Sequence, residues 1–408
     1  MVRNRHLAGG AAALVLMAAL AACSDTKDLV NPPPPADPLF TSYVALGNSI
    51  TAGFQSDGIN DSTQQQSYAN LLAQRMGTRF VMPLFTKPGC PAPMDNLLTQ
   101  HRLGDASPSA CALRSDVEGD AVINDVAVPG ANVADLIDVS GAKGNPLTTF
   151  ILGGKTQVQR ALDAQPTFAS IWIGNNDVLG AALSGVLDPM PNVSRGLTQP
   201  ADFVKAYAKV IAGLQGAPTL QGGVLIGVVN AAGAPIFFPG RALNDPRVIG
   251  AIDAATGKAV VVDPSCSPTT QALINFQLVG AIAAGTQPAE IACAPTGNGL
   301  VGHIFVLDDN ELVTLGTTVA QYNAYIQAKA DSLGWAYVDP NPVLAQLRAD
   351  TSVVPVFPRL DQPAKPFGDY ISVDGVHPAA AAHQLIAGII AAAIDAKYGT
   401  HIGGAQVQ

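Results

Sequence analysis

Short apolar runs that each stop at a glycine, a proline or a polar residue constrain this chain more than any other feature. Ser42–Leu46 stops at Gly47, Asp125–Val128 at Pro129-Gly130 and Phe168–Ile173 at Gly174; Gly223–Val229 and Ala336–Val338 are runs of the same kind. Several are apolar at consecutive rather than alternate positions, which suits strands buried on both faces. Between them, Tyr68–Met76, Val133–Val139, Thr156–Ala164, Asp202–Leu214 and Val313–Leu333 carry helical spacing. Pro378–Lys397 predicts a closing helix with proline at its start, where a missing N–H costs nothing. Strands that alternate with helices build a mostly parallel sheet covered on both faces. Hydrophobic residues make up 48% of the 408 and charged residues 13%, enough to bury a large core and too apolar for disorder. Gly- and Pro-rich stretches within roughly 184–312 read as insertions into one domain spanning 40–400.

The first residues belong to targeting rather than to the fold. Arg3 and Arg5 precede an apolar stretch from Leu7 to Ala22, too short and glycine-interrupted for a spanning helix. Residues 1–22 are therefore expected to be a signal peptide. Leu20-Ala21-Ala22-Cys23 resembles a bacterial lipobox, in which the thiol of Cys23 receives a diacylglycerol; an ordinary signal peptide with a chance cysteine is the alternative. Residues 23–39, with four consecutive prolines, form an extended tether. The expected location is thus outside the cytoplasm, lipid-anchored on the periplasmic or outer-membrane face of a bacterial membrane, with the protein a monomer. Four further cysteines, Cys90, Cys111, Cys266 and Cys293, read as two disulfides in an exported chain. Of the three possible pairings the locally closed one, Cys90–Cys111 with Cys266–Cys293, is preferred; four buried thiols are the alternative. The net charge of −9, with no Lys/Arg stripe, argues against nucleic acid as a partner.

Three strand ends and one late turn carry the residues with chemistry. Ser49 lies in Gly47-Asn48-Ser49-Ile50, directly after the first strand, where open parallel sheets bind ligands. By itself that motif fits an N-cap serine equally well. Asp374-Gly375-Val376-His377 puts a carboxylate three residues before an imidazole, close enough on a turn to hold Nδ1–H and leave Nε2 free to take a proton from serine. Asn176, in Gly174-Asn175-Asn176-Asp177, follows the most apolar strand, and Gly130 ends another, where a bare backbone N–H can approach a ligand.

Together, and in this order, these four motifs resemble the SGNH (GDSL-like) hydrolase family across nearly the whole chain after the tether. The resemblance implies a three-layer α/β/α, flavodoxin-like fold with a five-stranded parallel core sheet. It implies Ser49 as nucleophile, His377 as general base, Asp374 as the group orienting that base, and an oxyanion hole of the Ser49 and Gly130 N–H groups with the Asn176 amide. One position departs from the family, which has Asp where this chain has Asn48. The function expected is hydrolysis of a small-molecule or lipid ester through an acyl-enzyme, without a cofactor or metal. A carbohydrate O-deacetylase is the rival, since the same fold hosts it, and an anchored, non-catalytic binding lipoprotein is the other. Phe237, Phe238, Leu273, Ile274, Phe276, Leu278 and Ile282 in the insertion suit an acyl chain or a core equally. His383, in an Ala-rich helix, reads as a helix-surface residue, and His101, His303 and His401 lack an acidic partner at a telling spacing. Gly154-Lys155-Thr156 mimics the end of a P-loop, but Thr149 stands where the first glycine is needed, so it reads as a helix start. No G-x-S-x-G elbow is present, which argues against the α/β-hydrolase lipases.

Overall fold

The computed structural model describes residues 37–111, 122–138, 145–295 and 303–404. The expected signal peptide, Cys23 and nearly all of the tether lie outside these residues. Four strands form the central sheet: β1 (Tyr43–Gly47), β2 (Phe168–Trp172), β3 (Gly222–Ile226) and, after five strands of the insertion, β9 (Ala336–Val338). They pair in the order β1-β2-β3-β9, all parallel, with Tyr43 opposite Phe168, Phe168 opposite Gly222 and Val224 opposite Ala336.

The core sheet therefore has four strands rather than the expected five. The segment expected as the fifth, Asp125–Val128, makes only one parallel bridge, between Ala45 and Asp125. It still runs along the free edge of β1: Ala45 N–H donates to Asn124 O, Val126 N–H to Ala45 O and Val128 N–H to Gly47 O. A side chain closes the ladder instead. The Gln157 amide accepts the Gly47 N–H at 3.0 Å and donates to the Gly47 carbonyl at 2.8 Å. With this segment included, the chain crosses the sheet in the order second, first, third, fourth, fifth. That is the doubly wound order, in which ligands bind where the direction of winding reverses, here beside the carboxyl ends of β1 and β2.

The helices in chain order are α1 (Ser49–Ala52), α2 (Asp61–Gln65), α3 (Tyr68–Met76), α4 (Pro146–Leu152), α5 (Gln157–Asp163), α6 (Asn176–Ser184), α7 (Pro200–Leu214), α8 (Pro246–Thr256), α9 (Gln277–Ala283), α10 (Asp309–Leu333), α11 (Asn341–Ala349) and α12 (Ala380–Tyr398). Local chemistry fixes many of their starts. Ser67 caps α3, Thr156 and Gln159 form a capping box on α5, and Asp308 and Glu311 form one on α10. The expected helix at Val133 is a single 3₁₀ turn, Val133–Leu136, capped by Asn132. The closing helix starts at Ala380, because Pro378 is held outside it by a bridge to Ile371.

Successive strand residues point to opposite faces, and each face has its own apolar cluster. Tyr43, Ala45, Phe168, Trp172, Val224 and Ile226 pack with α3 and α12. Val44, Leu46, Ala169, Ile171 and Leu225 pack with α5, α7 and α10. The result is the expected three-layer α/β/α arrangement. In the insertion, β4 (Phe237–Pro239), β6 (Leu273–Asn275) and β8 (Val306–Leu307) form an antiparallel sheet in that order, while β5 (Val261–Val262) pairs with β7 (Glu290–Ile291). Phe237, Phe238, Ile274, Leu278 and Ile282 are buried in the same cluster as the α7 and α10 face, so the insertion shares that core. Cys266 bonds Cys293 within it, and Cys90 bonds Cys111 in the segment after α3, the locally closed pairing.

Candidate active site

Ser49 is the first residue of α1, a single helical turn that follows β1 without a spacer and closes at Gly53 in the left-handed region. The turn is tight enough that a Cβ on Gly47 would lie 2.2 Å from Thr51 Oγ1, so only glycine fits there. Asn48 is wholly buried, and its side-chain oxygen caps the turn by accepting the Ile50 N–H at 3.1 Å. The amide thus performs the capping role without placing a charge in the core. As the first helical residue, Ser49 has an N–H without a partner among the described residues.

The turn that carries Asp374 and His377 lies just before α12. Its base is closed by Ser372 N–H donating to His377 O at 2.9 Å, and its far side by Ile236 N–H donating to Gly375 O at 2.8 Å. His377 Nε2 lies 2.9 Å from Ser49 Oγ, and His377 Nδ1 lies 2.9 Å from Asp374 Oδ2. Asp374 is surrounded by donors. One carboxylate oxygen accepts the N–H groups of Val376 and His377 and the Ser372 hydroxyl, while the other accepts Asp57 N–H at 2.6 Å beside the imidazole. Burial pushes its carboxyl up, but the His377 ring and these N–H donors outweigh it and hold the group at about 2. Asp374 is therefore a carboxylate wherever the protein is folded near neutral pH.

The two other expected residues sit at the reversal point of the sheet. Asn176 opens α6, right after β2, and gives one amide hydrogen to Ala131 O at 2.8 Å, leaving the other without an acceptor among the described residues. Gly130 follows the segment beside β1, takes a φ of +78° that favours glycine, and also has an N–H without a partner among the described residues. Asp177 joins the same two loops by accepting Val133 N–H at 2.9 Å; burial raises its carboxyl to about 7. Ser49, Asn176 and His377 line one cavity of about 130 Å³. Gly130 is outside that lining and is tied to it through Ala131.

Several residues that hold the site have no sequence signal of their own. Ser56 and Asp57 form a turn with both φ values positive, 55° and 52°, marked in the sequence only by Asp57-Gly58. Its Ser56 N–H donates to Ser372 Oγ at 2.9 Å and its Asp57 N–H to Asp374. Arg102, buried, grips the turn from behind by donating to Asp57 O at 2.6 Å, to Ala92 O at 2.7 Å and to the Asp57 carboxylate. Phe54 packs on the His377 ring, with centroids 4.9 Å apart.

Three histidines differ from expectation. His383 is buried rather than on the surface of α12, its Nδ1 accepting Tyr68 N–H at 3.1 Å, and burial lowers its pKa to about 3, so it is a neutral clamp between α12 and α3. His101 does have acidic partners, Asp95 at 2.6 Å and Asp105 at 2.8 Å, on the surface. His303 lies 3.5 Å from Glu311. With Asp308 these two place three potential metal-ligand atoms within 4.8 Å, but both carboxylates already cap α10. Thr156 starts α5 and holds no phosphate-like loop.

Comparison with known proteins places the chain in a family. The GDSL-like lipase/acylhydrolase family profile matches residues 43–390. No curated protein matches the chain. Among solved structures, an extracellular lipase from Streptomyces rimosus is 14% identical with a TM-score of 0.38, over 86% of this chain and 99% of that one. An acetyl xylan esterase from Geobacillus stearothermophilus is 13% identical with a TM-score of 0.36, over 86% and 93%. A family two carbohydrate esterase from Clostridium thermocellum is 13% identical with a TM-score of 0.38, over 90% and 66%. On the match that spans both the Ser49 turn and the Asp374–His377 turn, the chain belongs to the GDSL-like lipase/acylhydrolase family of ester-hydrolysing enzymes.

Proposed function

We propose that the protein hydrolyses carboxylic esters through Ser49, His377 and Asp374, by way of an acyl-enzyme. The observation that carries this reading is the unbroken chain from Ser49 Oγ to His377 Nε2 and from His377 Nδ1 to Asp374, each link 2.9 Å. Ser49 Oγ bonds to the carbonyl carbon as its proton passes to Nε2, and Asp374 stabilises the imidazolium that forms. The oxyanion is received by the unpartnered N–H groups of Ser49 and Gly130 and by the Asn176 amide. The C–O bond to the alcohol then breaks, the alcohol leaving with the proton from His377. Water repeats the cycle, frees the acid and restores Ser49.

The cavity beside Ser49 favours a hydrocarbon acyl group. Its walls are Ile226 and Val229 at the end of β3, Val343 and Leu347 of α11, and Leu385 and Ile389 of α12. These, rather than the insertion, supply the apolar surface expected to suit an acyl chain; the insertion's phenylalanines are mostly core. Asn175, Asn176 and Asp339 also line the cavity, and its tryptophan, Trp172, is buried and offers a sugar ring little face to stack on. Export remains part of the reading, supported by the two disulfides, which suit an oxidising compartment, and lipid anchoring at Cys23 rests on the sequence alone. The test compares rates on p-nitrophenyl esters of increasing acyl length with acetate release from acetylated glycans, for wild type and Ser49→Ala. Wild type should favour acyl chains longer than acetate and the variant should turn over nothing. Turnover confined to glycans would move the reading to a deacetylase, and an active Ser49→Ala would end it.

A further inference from the structure

A second cavity, of about 410 Å³, adjoins the first at His377, Val376 and Leu179, which line both. Its floor is Asp374, Val376 and His377. One wall is the loop carrying Leu97 and Leu98, and the other is the insertion, through Phe276 and α9. The walls are tied to the reacting turn. Phe276 N–H donates to Ile236 O at 2.9 Å, and Ile236 N–H donates to Gly375 O at 2.8 Å. On the opposite side Met94 N–H donates to Ser56 O at 2.7 Å, and Leu97 N–H to Pro363 O at 2.9 Å.

We propose that this second cavity is the subsite for the alcohol half of the ester, and that the insertion selects that alcohol: a bulky, uncharged and largely apolar one. The inference rests on the triad reading above. The two cavities share Leu179, Val376 and His377, but Ser49 and Asn176 line only the first. The carbonyl carbon must sit on Ser49 with its oxygen at the oxyanion donors, which commits the first cavity to the acyl group. The leaving oxygen must take its proton from His377 Nε2, so whatever is attached to it extends past the imidazole. On that side lies the space between Leu98 and α9. Its charged lining groups are the carboxylates of Asp57 and Asp374, and no Lys or Arg lines it among the described residues. Asp57 is paired with Arg102, so an anionic alcohol would face the Asp374 carboxylate and find no Lys or Arg of the described residues lining the cavity to bind it. Leu97, Leu98, Phe276 and Val279 offer apolar surface, with Gln100 and Gln277 as the polar contacts.

Gly280 makes the subsite testable without disturbing the chemistry. It lies on α9, lines the cavity, and a Cβ built on it meets nothing within 4 Å. A side chain can be grown there, and replacing a helix glycine carries no propensity penalty. The experiment measures kcat/KM for methyl and 2-naphthyl esters of one acid, in wild type, Gly280→Phe and Val343→Phe. Each substrate is compared across variants, so the intrinsic reactivity of its leaving group cancels. Gly280→Phe should lower kcat/KM for the naphthyl ester about tenfold or more relative to the methyl ester. It should leave the deacylation rate constant unchanged, because the alcohol has departed before water attacks. Val343→Phe, in the acyl cavity, should affect both esters alike. An equal effect of Gly280→Phe on both esters, or a change in deacylation, would overturn the proposal. Should Gly280→Phe fail to fold, Leu98→Ala on the opposite wall should raise kcat/KM for an ester of an alcohol larger than naphthol relative to the methyl ester of the same acid, and an unchanged ratio would overturn the proposal. Failure of the triad reading shows differently, as turnover that survives Ser49→Ala.

Discussion

The two sides of the cleft are built on different principles. On the side of the strand ends, the groups proposed to react are held in place by directional hydrogen bonds, Asp374 most of all. Asp374 accepts from the N–H groups of Asp57, Val376 and His377, from the Ser372 hydroxyl and from the imidazole. The Ser49 turn is closed by a capping amide and by a glycine that nothing else can replace. On the insertion side, α9 presents apolar side chains and a glycine with open space beside it. The chemistry needs orientation held to fractions of an ångström, which directional bonds provide. Choosing a substrate needs only shape, which packing provides and which changes at little cost. Substitutions on the first side should therefore remove turnover, and those on the second should redirect it.

The comparison can be broken most forcefully at Ser49. Ser49→Ala should cut kcat by roughly 10⁴–10⁶ while leaving thermal unfolding unchanged; a variant within about tenfold of wild type would make the strand-end side dispensable. Next comes Asn176→Ala, which removes one proposed oxyanion donor and should lower kcat by about 10²–10³ with little change in KM. Unchanged kcat would take Asn176 out of the hole. The selectivity change of about tenfold at Gly280 is smaller and belongs to the other side.

The smallest effect concerns stability rather than turnover. Asp125, in the segment beside β1, is buried, and burial raises its carboxyl from 3.8 to about 8 against the pull of the Ala127 N–H. A carboxyl with a raised folded-state pKa binds its proton more tightly when folded. Its contribution is fully present below 3.8 and is lost as pH rises through about 8. Asp125→Asn keeps the acceptor for Ala127 and removes the titration. Its Tm should fall less than that of wild type between about pH 5 and about pH 9. Parallel Tm profiles would show that Asp125 does not titrate in this range.

The strand-end side was far more legible in the sequence than the insertion side. Strands β1, β2 and β9 and the helices α3 and α10 follow from local apolar spacing and capping residues. Ser49, Asp374 and His377 were visible because each lies within a few residues of a strand end or of its partner. The grip on Asp374 was not visible, because Asp57 and Asp374 are 317 residues apart. The fifth strand falls short for a similar reason: Gln157, which takes the Gly47 N–H from the neighbouring segment while Val128 N–H still reaches Gly47 O, comes from 110 residues away. The burial of His383 is hidden because an Ala-rich helix has no polar face to show which way it turns, and the Tyr68 N–H that its Nδ1 accepts comes from 315 residues away. The apolar residues of the insertion could be core or lining, since periodicity reports burial and not what is buried against.

Covalent labelling tests the central claim most directly. The folded protein, treated with a fluorophosphonate and mapped by peptide mass spectrometry, should carry one adduct, on Ser49, and Ser49→Ala should carry none. His377→Ala should label far more slowly, because Ser49 Oγ then has no group 2.9 Å away to take its proton. An adduct on another residue, or no adduct on folded wild-type protein, would contradict the account.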